Sequence, residues 1–272
     1  MVAGHLVDTA VASQGRFGPS PKEVAANWAE CAAWAASAEV SGGDAVDIGR
    51  LGPALPDPAQ VFAIGLNYRG HALESGFEFP QVPPPFTKYV SSLTGPGGVI
   101  SLPSENVDWE VELVVVIGRT AANVSAADAW EHVAGLTIGQ DLSERAVQKI
   151  GPAPQFSLAK SFRGFGPVGP FITGLEEIGN REDLEVSCAV NGVTMQKART
   201  SDLIFPVPAL ISYLSSICEL RAGDLIFTGT PSGVGGVRKP PLFLAPGDVL
   251  ETSIEGLGTV RHTFTATPAS AS

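Results

Sequence analysis

The amino-acid sequence predicts an α+β protein in which β-structure dominates, with a small N-terminal region ahead of a larger body. Glycine and proline together supply about a fifth of the 272 residues, 31 and 22 respectively, and this excess favours short strands and turns over long helices. From Val61 onward, apolar runs of strand length recur between turn residues, whereas helical patterns are few. A chain of this size is long enough to bury a substantial core.

The N-terminal region, residues 1–58, differs in pattern from the rest. The alanine-rich stretch Lys22–Glu39 predicts a helix, because alanine is the strongest helix former. A loop rich in glycine and proline follows over 42–58 and predicts a boundary to the main body, residues 59–268. The last residues, 269–272, are small and polar and are expected to be a frayed tail.

The main body is expected to contain seven strands and two helices. The predicted strands are Val61–Leu66, Phe86–Ser91, Glu110–Ile117, Leu136–Gln140, Leu184–Val190, Asp224–Thr228 and Val249–Ile254. The pair Asn191-Gly192 is a signal for a tight hairpin turn. The predicted helices are Ala126–Val133, with Ser125 as its N-cap, and Pro206–Cys218.

Composition and missing motifs exclude several classes of protein. A net charge of −11 argues against a nucleic-acid partner or an anionic membrane surface. Three cysteines without a CxxC pair argue against a disulfide framework or a zinc ribbon, and fit a reducing compartment. We see neither a signal-peptide pattern nor an apolar run long enough to span a bilayer, so a cytoplasmic location is expected. A nucleotide-binding oxidoreductase is disfavoured, because the sequence has neither a P-loop nor a GxGxxG motif.

Three carboxylates occur next to apolar strands. Glu110 and Glu112 alternate with apolar residues, so in a strand both side chains point to one face, and Asp141 ends the next apolar strand. Unpaired buried carboxylates are costly, and carboxylate oxygens suit a hard divalent cation: Mg²⁺, Mn²⁺ or Ca²⁺. Three ligands would leave positions open for substrate. The alternative is an exposed strand end with both glutamates in water, since the sequence does not prove that the two strands are neighbours.

Three further segments carry candidate functional groups, each with a plainer explanation. His71 and Glu74 lie at i and i+3, which would pair an imidazole with a carboxylate as a general base, or form an incidental surface pair. Lys160 lies in the apolar, strand-like run Phe156–Phe162, either buried against an anion or at a strand edge with its ammonium in water. The glycine-rich loop after Asp224–Thr228 could present N–H groups to a small carboxylate, or be only a turn.

Taken together, these segments resemble the fumarylacetoacetate hydrolase family, and in particular its acylpyruvase and fumarylpyruvate hydrolase branch. The matching segments occur in the family's order, whereas residues 1–58 match only loosely. They are GLNYRGHALESG (65–76), PPPFTKYVSSLTGPGGVI (83–100), DWEVELVVVIGR (108–119), GQDLSERAVQ (139–148), LAKSFRGFGPVGP (158–170), VNGVTMQKARTSDLIF (190–205), AGDLIFTGTPSGVG (222–235) and APGDVLETSIEGLG (245–258).

The resemblance implies a fold, an assembly and a set of site residues. The fold would be the family's C-terminal-domain type, a mixed β-roll, in a homodimer. Metal ligands would fall on Glu110, Glu112 and Asp141. The resemblance further places the following groups: a water-activating dyad at His71 and Glu74, a catalytic lysine at Lys160, and substrate-binding residues at Arg145, Gln148 and Thr230.

The expected function is a divalent-metal-dependent hydrolase that cleaves a C–C bond of an acylpyruvate, a small 2-oxo acid, and releases pyruvate. The same chemistry would support decarboxylation of oxaloacetate, or an isomerase, tautomerase or hydratase acting on a 2-oxo acid, and the fold does not choose among them. A hypothesis of another class is a non-catalytic binding module in which the metal serves only as a structural pin. The segment between Ser75 and Pro85 is expected to set the substrate.

Overall fold

The computed structural model of the chain describes residues 5–38 and 43–267, so the tail predicted at 269–272 lies outside the described residues. The described part contains seven α-helices and sixteen strands. The helices are α1 Thr9–Ala12, α2 Pro21–Ala26, α3 Trp28–Ser37, α4 Arg69–Glu74, α5 Arg145–Gln148, α6 Phe156–Ala159 and α7 Val207–Ser215. The strands are β1 His5–Leu6, β2 Asp44–Ala45, β3 Val61–Ile64, β4 Pro85–Thr87, β5 Leu93–Thr94, β6 Gly97–Leu102, β7 Val107–Asp108, β8 Val111–Ile117, β9 Val133–Gln140, β10 Ser143–Glu144, β11 Gly166–Gly174, β12 Glu185–Val190, β13 Val193–Arg199, β14 Leu225–Phe227, β15 Val249–Ile254 and β16 Gly258–Ala266.

Two large mixed sheets form the body. The first has seven strands in the order β4-β3-β14-β8-β9-β11-β5, and the second has five in the order β13-β12-β15-β16-β6. Most neighbours are antiparallel, but β14 pairs with β3, β11 with β5 and β16 with β6 in parallel. The predicted α+β, β-dominated roll with a small N-terminal region is therefore confirmed.

Strand β8 lies at the centre of the first sheet, and all seven of its residues are buried. Because side chains alternate along a strand, its odd-numbered residues and its even-numbered residues face opposite sides. Leu113 and Val115 join the larger core between the two sheets, whereas Val114 and Val116 belong to a second core cluster. In that second cluster Ala25, from the N-terminal helix α2, covers the outer face of the sheet. The N-terminal region thus completes the burial of β8.

Strands β8 and β9 are antiparallel neighbours, with Val111 opposite Gln140. The start of β8 and the end of β9 therefore lie at the same edge of the sheet. The backbone N–H of Asp141 donates to the carbonyl of Glu110 over 2.9 Å, which extends this pairing by one residue beyond each strand. This adjacency could not be derived from the sequence, and it brings Glu110, Glu112 and Asp141 together.

Several predicted elements differ in the structure. The helix predicted over Ala126–Val133 is wrong: only a short 3₁₀ turn forms over Ala129–His132, because Val133 already begins the buried strand β9. The strand-like interpretation of Phe156–Phe162 is also wrong, since Phe156–Ala159 is helix α6. The N-terminal helix is split at Asn27, which separates α2 from α3.

Other predictions agree closely with the structure. Asn191 and Gly192 have φ values of +50° and +78° and connect β12 to β13, as a tight hairpin turn requires. Helix α7 lies within the helix predicted over Pro206–Cys218, and strand β15 has the predicted bounds Val249–Ile254. No helix in the part of the chain that the structure describes is long and apolar enough to cross a bilayer.

Candidate active site

Three buried carboxylates form the centre of the site. One oxygen from each of Glu110, Glu112 and Asp141 lies within 4.8 Å of the others. None of the three residues is more than 5% exposed. A fourth carboxylate, Asp108, is fully buried close by, two residues before Glu110.

Three cations neutralise most of this charge. Lys160 Nζ lies 2.6 Å from both Glu110 Oε2 and Asp141 Oδ2. Lys88 Nζ lies 2.6 Å from the other oxygen of Asp141, Oδ1. Arg145 donates through Nε to Asp108 over 2.7 Å and through Nη2 to Glu110. Four carboxylates thus face three cations in a region with almost no access to water.

The pKa shifts follow from this arrangement. Burial by itself would raise the pKa of Glu110, but Lys160 and Arg145 outweigh burial and lower it to about 2. Burial by itself would lower the pKa of Lys160, but the adjacent carboxylates of Asp141 and Glu110 raise it above its ordinary value. For Lys88, burial dominates and lowers the pKa in spite of Asp141.

Glu112 has no cation among its hydrogen-bonding partners in the described part of the chain. Its Oε2 accepts a hydrogen bond from the backbone N–H of Gly229 over 2.7 Å. Burial, followed by the charges of Asp141 and Glu110, raises the pKa of Glu112 well above its usual range. An excess buried carboxylate among all-oxygen donors fits a divalent cation such as Mg²⁺ or Mn²⁺, which would compensate the charge that the lysines and arginine leave over.

The candidate dyad forms on helix α4. His71 Nδ1 lies 2.9 Å from Glu74 Oε1, and His71 is only 9% exposed. Both carboxylate oxygens of Glu74 also accept from the backbone N–H of Gly233, over 3.0 and 2.9 Å. With Glu74 accepting at Nδ1, the lone pair of the imidazole is at Nε2. His71 is close enough to the carboxylate cluster that a proton on its imidazole would help to lower the pKa of Glu110.

The glycine-rich loop after β14 connects the two parts of the site. The N–H of Gly229 contacts Glu112, that of Gly233 contacts Glu74, and that of Gly236 contacts Asp108 over 2.6 Å. Gly229 has φ +101°, a backbone conformation that residues with side chains rarely adopt. A Cβ at this position would also lie only 2.7 Å from the Cβ of Asn67, so both the backbone conformation and the lack of space favour glycine. The loop is therefore a set of backbone donors aimed at carboxylates of the protein itself.

The three residues predicted to bind substrate are engaged within the protein. Arg145 contacts Asp108 and Glu110, and its Nη1 donates to Gln148 Oε1 over 2.9 Å. Gln148 thus orients Arg145. The buried Thr230 accepts at Oγ1 from Gln196 Nε2 over 2.8 Å, which leaves its own hydroxyl proton free to donate.

Three residues that support the site are not among those predicted from the sequence: Lys88, Asp108 and Gln196. Asp108 fixes Arg145, and Gln196 joins the loop to the start of β8, because its Oε1 accepts from Val111 N–H over 3.0 Å. Asp108 stands two residues before the Glu110 and Glu112 pair, so the continued i, i+2 spacing was a usable signal. Neither Gln196, a polar residue in strand β13, nor Lys88, which comes shortly after three prolines, has such a pattern around it in the sequence.

The comparisons with known proteins identify the family. Residues 60–265 match the family described as "Fumarylacetoacetate (FAA) hydrolase C-terminal", so the chain belongs to the fumarylacetoacetate hydrolase family. The buried Glu–Glu–Asp cluster is a group of carboxylates that could hold a divalent cation, of the kind typical of that family.

Individual relatives span several activities. The crystal structure of an HpcE-like protein from Mycobacterium smegmatis is 51% identical, with a TM-score of 0.94 over 98% of this chain and 96% of that chain. The mitochondrial oxaloacetate tautomerase FAHD2A of Bos taurus is 41% identical over 75% of this chain and 65% of its own length. The 2,4-didehydro-3-deoxy-L-rhamnonate hydrolase of a Sphingomonas species is 44% identical over 78% of this chain and 75% of its own.

These relatives correct one expectation. They support the family, but not specifically its fumarylpyruvate hydrolase branch, because the similar proteins include tautomerases and a sugar-acid hydrolase. The chain spans about two thirds of the length of the tautomerase it matches. Since that relative is mitochondrial, a cytoplasmic location stays a prediction.

Proposed function

We propose that this chain is a metal-dependent enzyme acting on a small 2-oxo acid, and that hydrolytic C–C cleavage of an acylpyruvate is the reaction its site supports best. The observation that carries the proposal is the pair His71–Glu74, held together over 2.9 Å and anchored to the same loop that contacts Glu112. The loop thus places a general base that can deprotonate water next to the carboxylates that would bind a cation.

Glu110, Glu112 and Asp141 would hold the divalent cation. Mg²⁺, Mn²⁺ or Ca²⁺, when bound, supplies a Lewis acid that polarises the carboxylate and 2-oxo oxygens of the substrate. Mg²⁺, Mn²⁺ and Ca²⁺ all suit a ligand set made of oxygens, so the identity of the cation stays a prediction.

His71 acts first as the general base. Glu74 holds the imidazole through Nδ1, so that Nε2 takes a proton from water while the water oxygen attacks the distal carbonyl carbon. The carbonyl oxygen becomes an oxyanion, and Lys160 is the nearby cation suited to stabilise it. The C–C bond then breaks, its electron pair forms the enolate of pyruvate, and the imidazolium returns the proton to the enolate carbon. Atoms and charges balance with water as the only co-reactant.

Arg145, Gln148 and Thr230 bind and orient the substrate in this proposal. Arg145 is held by Asp108 and Glu110, so it fixes a metal-binding carboxylate while its charge attracts an anionic substrate. Thr230 has a hydroxyl proton to offer, because Gln196 already donates to its oxygen. Both features suit a substrate that carries a carboxylate.

A second candidate is keto–enol tautomerisation of a 2-oxo acid such as oxaloacetate. The observation that favours it is the 41% identity to an oxaloacetate tautomerase across three quarters of this chain. Here His71 removes a proton from the carbon next to the 2-oxo group and delivers it to the enolate oxygen, and no water is consumed.

The reactions are distinguished by one set of assays with Mg²⁺ or Mn²⁺. Purified protein should release pyruvate from acylpyruvates, and His71→Ala should fold normally but lose about 10²–10⁴ in turnover. No pyruvate from acylpyruvates, together with accelerated exchange between the keto and enol forms of oxaloacetate, would establish the tautomerase instead. Rapid loss of CO₂ from oxaloacetate would indicate decarboxylation. Normal activity in His71→Ala would exclude His71 as the base, whereas no turnover of any of these 2-oxo acids by the wild type would favour the non-catalytic, metal-pinned module.

Two related predictions accompany the proposal. A homodimer is expected from the family resemblance. That residues 75–85 set the substrate stays a prediction; this segment carries the exposed apolar residues Phe77, Phe79 and Val82.

A further inference from the structure

Lys88 is a second buried lysine at the carboxylate cluster. It follows strand β4, its backbone N–H donates to the carbonyl of Val61 over 3.1 Å, and its side chain has no exposed surface. Burying a lysine is costly unless its ammonium is fully paired, so a lysine in this position calls for a role.

The ammonium of Lys88 has three acceptors. They are Asp141 Oδ1 at 2.6 Å, the backbone carbonyl of Phe165 at 3.2 Å, and the backbone carbonyl of Lys160. An ammonium has three N–H donors, so these acceptors use all of them. Lys88 therefore has no donor left for a substrate.

Lys160 differs in this respect. Its ammonium contacts Glu110 Oε2 and Asp141 Oδ2, and these are the two acceptors that the structure gives it. One of its three N–H donors is left for another partner. The two lysines share the carboxylate of Asp141, one on each oxygen, but only Lys160 can also reach a ligand.

The chain makes room for Lys88. A Cβ at Gly166 would lie 3.3 Å from Lys88 Cε and 3.0 Å from Leu93 Cδ2, which is tighter than ordinary packing. Glycine at this position lets the lysine pass β11 and reach Asp141. The position of the Lys88 side chain thus depends on a glycine in the neighbouring strand β11.

We propose that Lys88 is a positioning residue that sets the affinity of the site for its divalent cation. It fixes Asp141 through Oδ1 and fixes the 160–165 segment through two carbonyls, so that Asp141 and Lys160 keep their relative places. This inference rests on the proposed metal site. Residues that orient metal ligands typically contribute 10–100-fold to metal affinity.

The alternative, that Lys88 only balances charge, predicts the opposite sign. A positive charge beside Asp141 repels a divalent cation, so removing that charge alone would tighten binding. Lys88→Met keeps the length of the side chain but removes both charge and donors. It would leave three buried acceptors unpaired, which Asp141 and the 160–165 segment can relieve only by moving.

The test measures Mn²⁺ binding by titration calorimetry on the full chain, with folding checked by circular dichroism. Lys88→Met should bind Mn²⁺ about 10–100-fold more weakly than the wild type. Lys160→Met removes a cation that contacts both Glu110 and Asp141, so it is expected to lose turnover and does not serve as the binding control. Lys197→Met, which removes the same charge from an exposed lysine, should bind like the wild type.

Unchanged or tighter binding in a folded Lys88→Met protein would overturn the inference. If that variant does not fold, Lys88→Arg replaces it, because a guanidinium keeps the charge but cannot direct three donors to the same acceptors. Weaker Mn²⁺ binding in Lys88→Arg would support the positioning role, and unchanged binding would overturn it. A wild type that binds no Mn²⁺ would instead refute the metal site, and with it the proposed function.

Discussion

Glu112 provides the sharpest test of how charge is balanced in the cluster. Of the four carboxylates in the cluster it is the one with no cation among its hydrogen-bonding partners in the described residues, since its hydrogen bond comes from the backbone of Gly229. Glu112→Gln keeps the size of the side chain and an oxygen for that N–H, and removes one negative charge. We therefore expect the variant to fold and, without metal, to be more stable than the wild type, by about 1–3 kcal/mol for the relieved buried charge.

The response to metal should change in the opposite direction. A cation at 1,000 times its dissociation constant stabilises a protein by about 4 kcal/mol. For a chain of this size that corresponds to a rise in melting temperature of roughly 8–16 °C. Loss of one of three carboxylate ligands should remove a large part of this rise.

The assay is thermal unfolding with and without Mn²⁺, for the wild type, Glu112→Gln and the control Glu131→Gln. Glu131 is an exposed carboxylate paired with Arg119, so its substitution should leave both melting temperatures nearly unchanged. The reasoning is refuted if Glu112→Gln strongly destabilises the metal-free protein and still shows the full Mn²⁺-dependent rise. That result would make Glu112 a structural residue and would place the cation elsewhere.

Three further predictions concern the dyad, the loop and the second sheet. Glu74→Gln should fold and lose about 10²-fold in kcat, because a carboxylate no longer holds the imidazole. The control Glu219→Gln, which changes an exposed carboxylate, should keep the kcat of the wild type. Equal kcat in both variants would exclude the dyad. Gln196→Leu should lower the melting temperature by roughly 2–12 °C, since it leaves buried backbone and hydroxyl groups without partners, and an unchanged value would contradict that role. Burial lowers the pKa of His262 to about 4, below its ordinary value, so its contribution to stability is complete above pH ~6.5 and is lost as the pH falls towards 4. The wild type should thus lose about 2 kcal/mol more than His262→Phe between pH 7.5 and pH 5 in urea unfolding, and equal losses would refute the buried neutral imidazole.

The sequence was sufficient for the local features of the site. Glu110 and Glu112 stood out because carboxylates alternate with apolar residues in one strand, and Asp141 because it ends another. The i, i+3 spacing predicted the contact between His71 and Glu74, since one turn of helix is enough to form it. These signals depend on short stretches of chain.

The rest of the site depends on contacts between distant segments. Lys88 meets Asp141 across 53 positions, and Gln196 meets Val111 across 85, and neither distance leaves a periodic pattern in the sequence. The segment that contains Lys160 was wrongly predicted as a strand. Of the apolar residues just before Lys160 only Ala159 is buried, whereas Phe156 and Leu158 are exposed, and so short an apolar run fits a helix as well as a strand.

The central claim is that Glu110, Glu112 and Asp141 bind a divalent cation beside the His71–Glu74 pair. Anomalous scattering from a crystal of the full chain grown with Mn²⁺ tests it most directly, because it locates the ion without reference to activity. The account predicts a peak within about 2.0–2.6 Å of one oxygen from each of the three carboxylates. A site that stays empty at saturating Mn²⁺, or a peak bound by other residues, would contradict it.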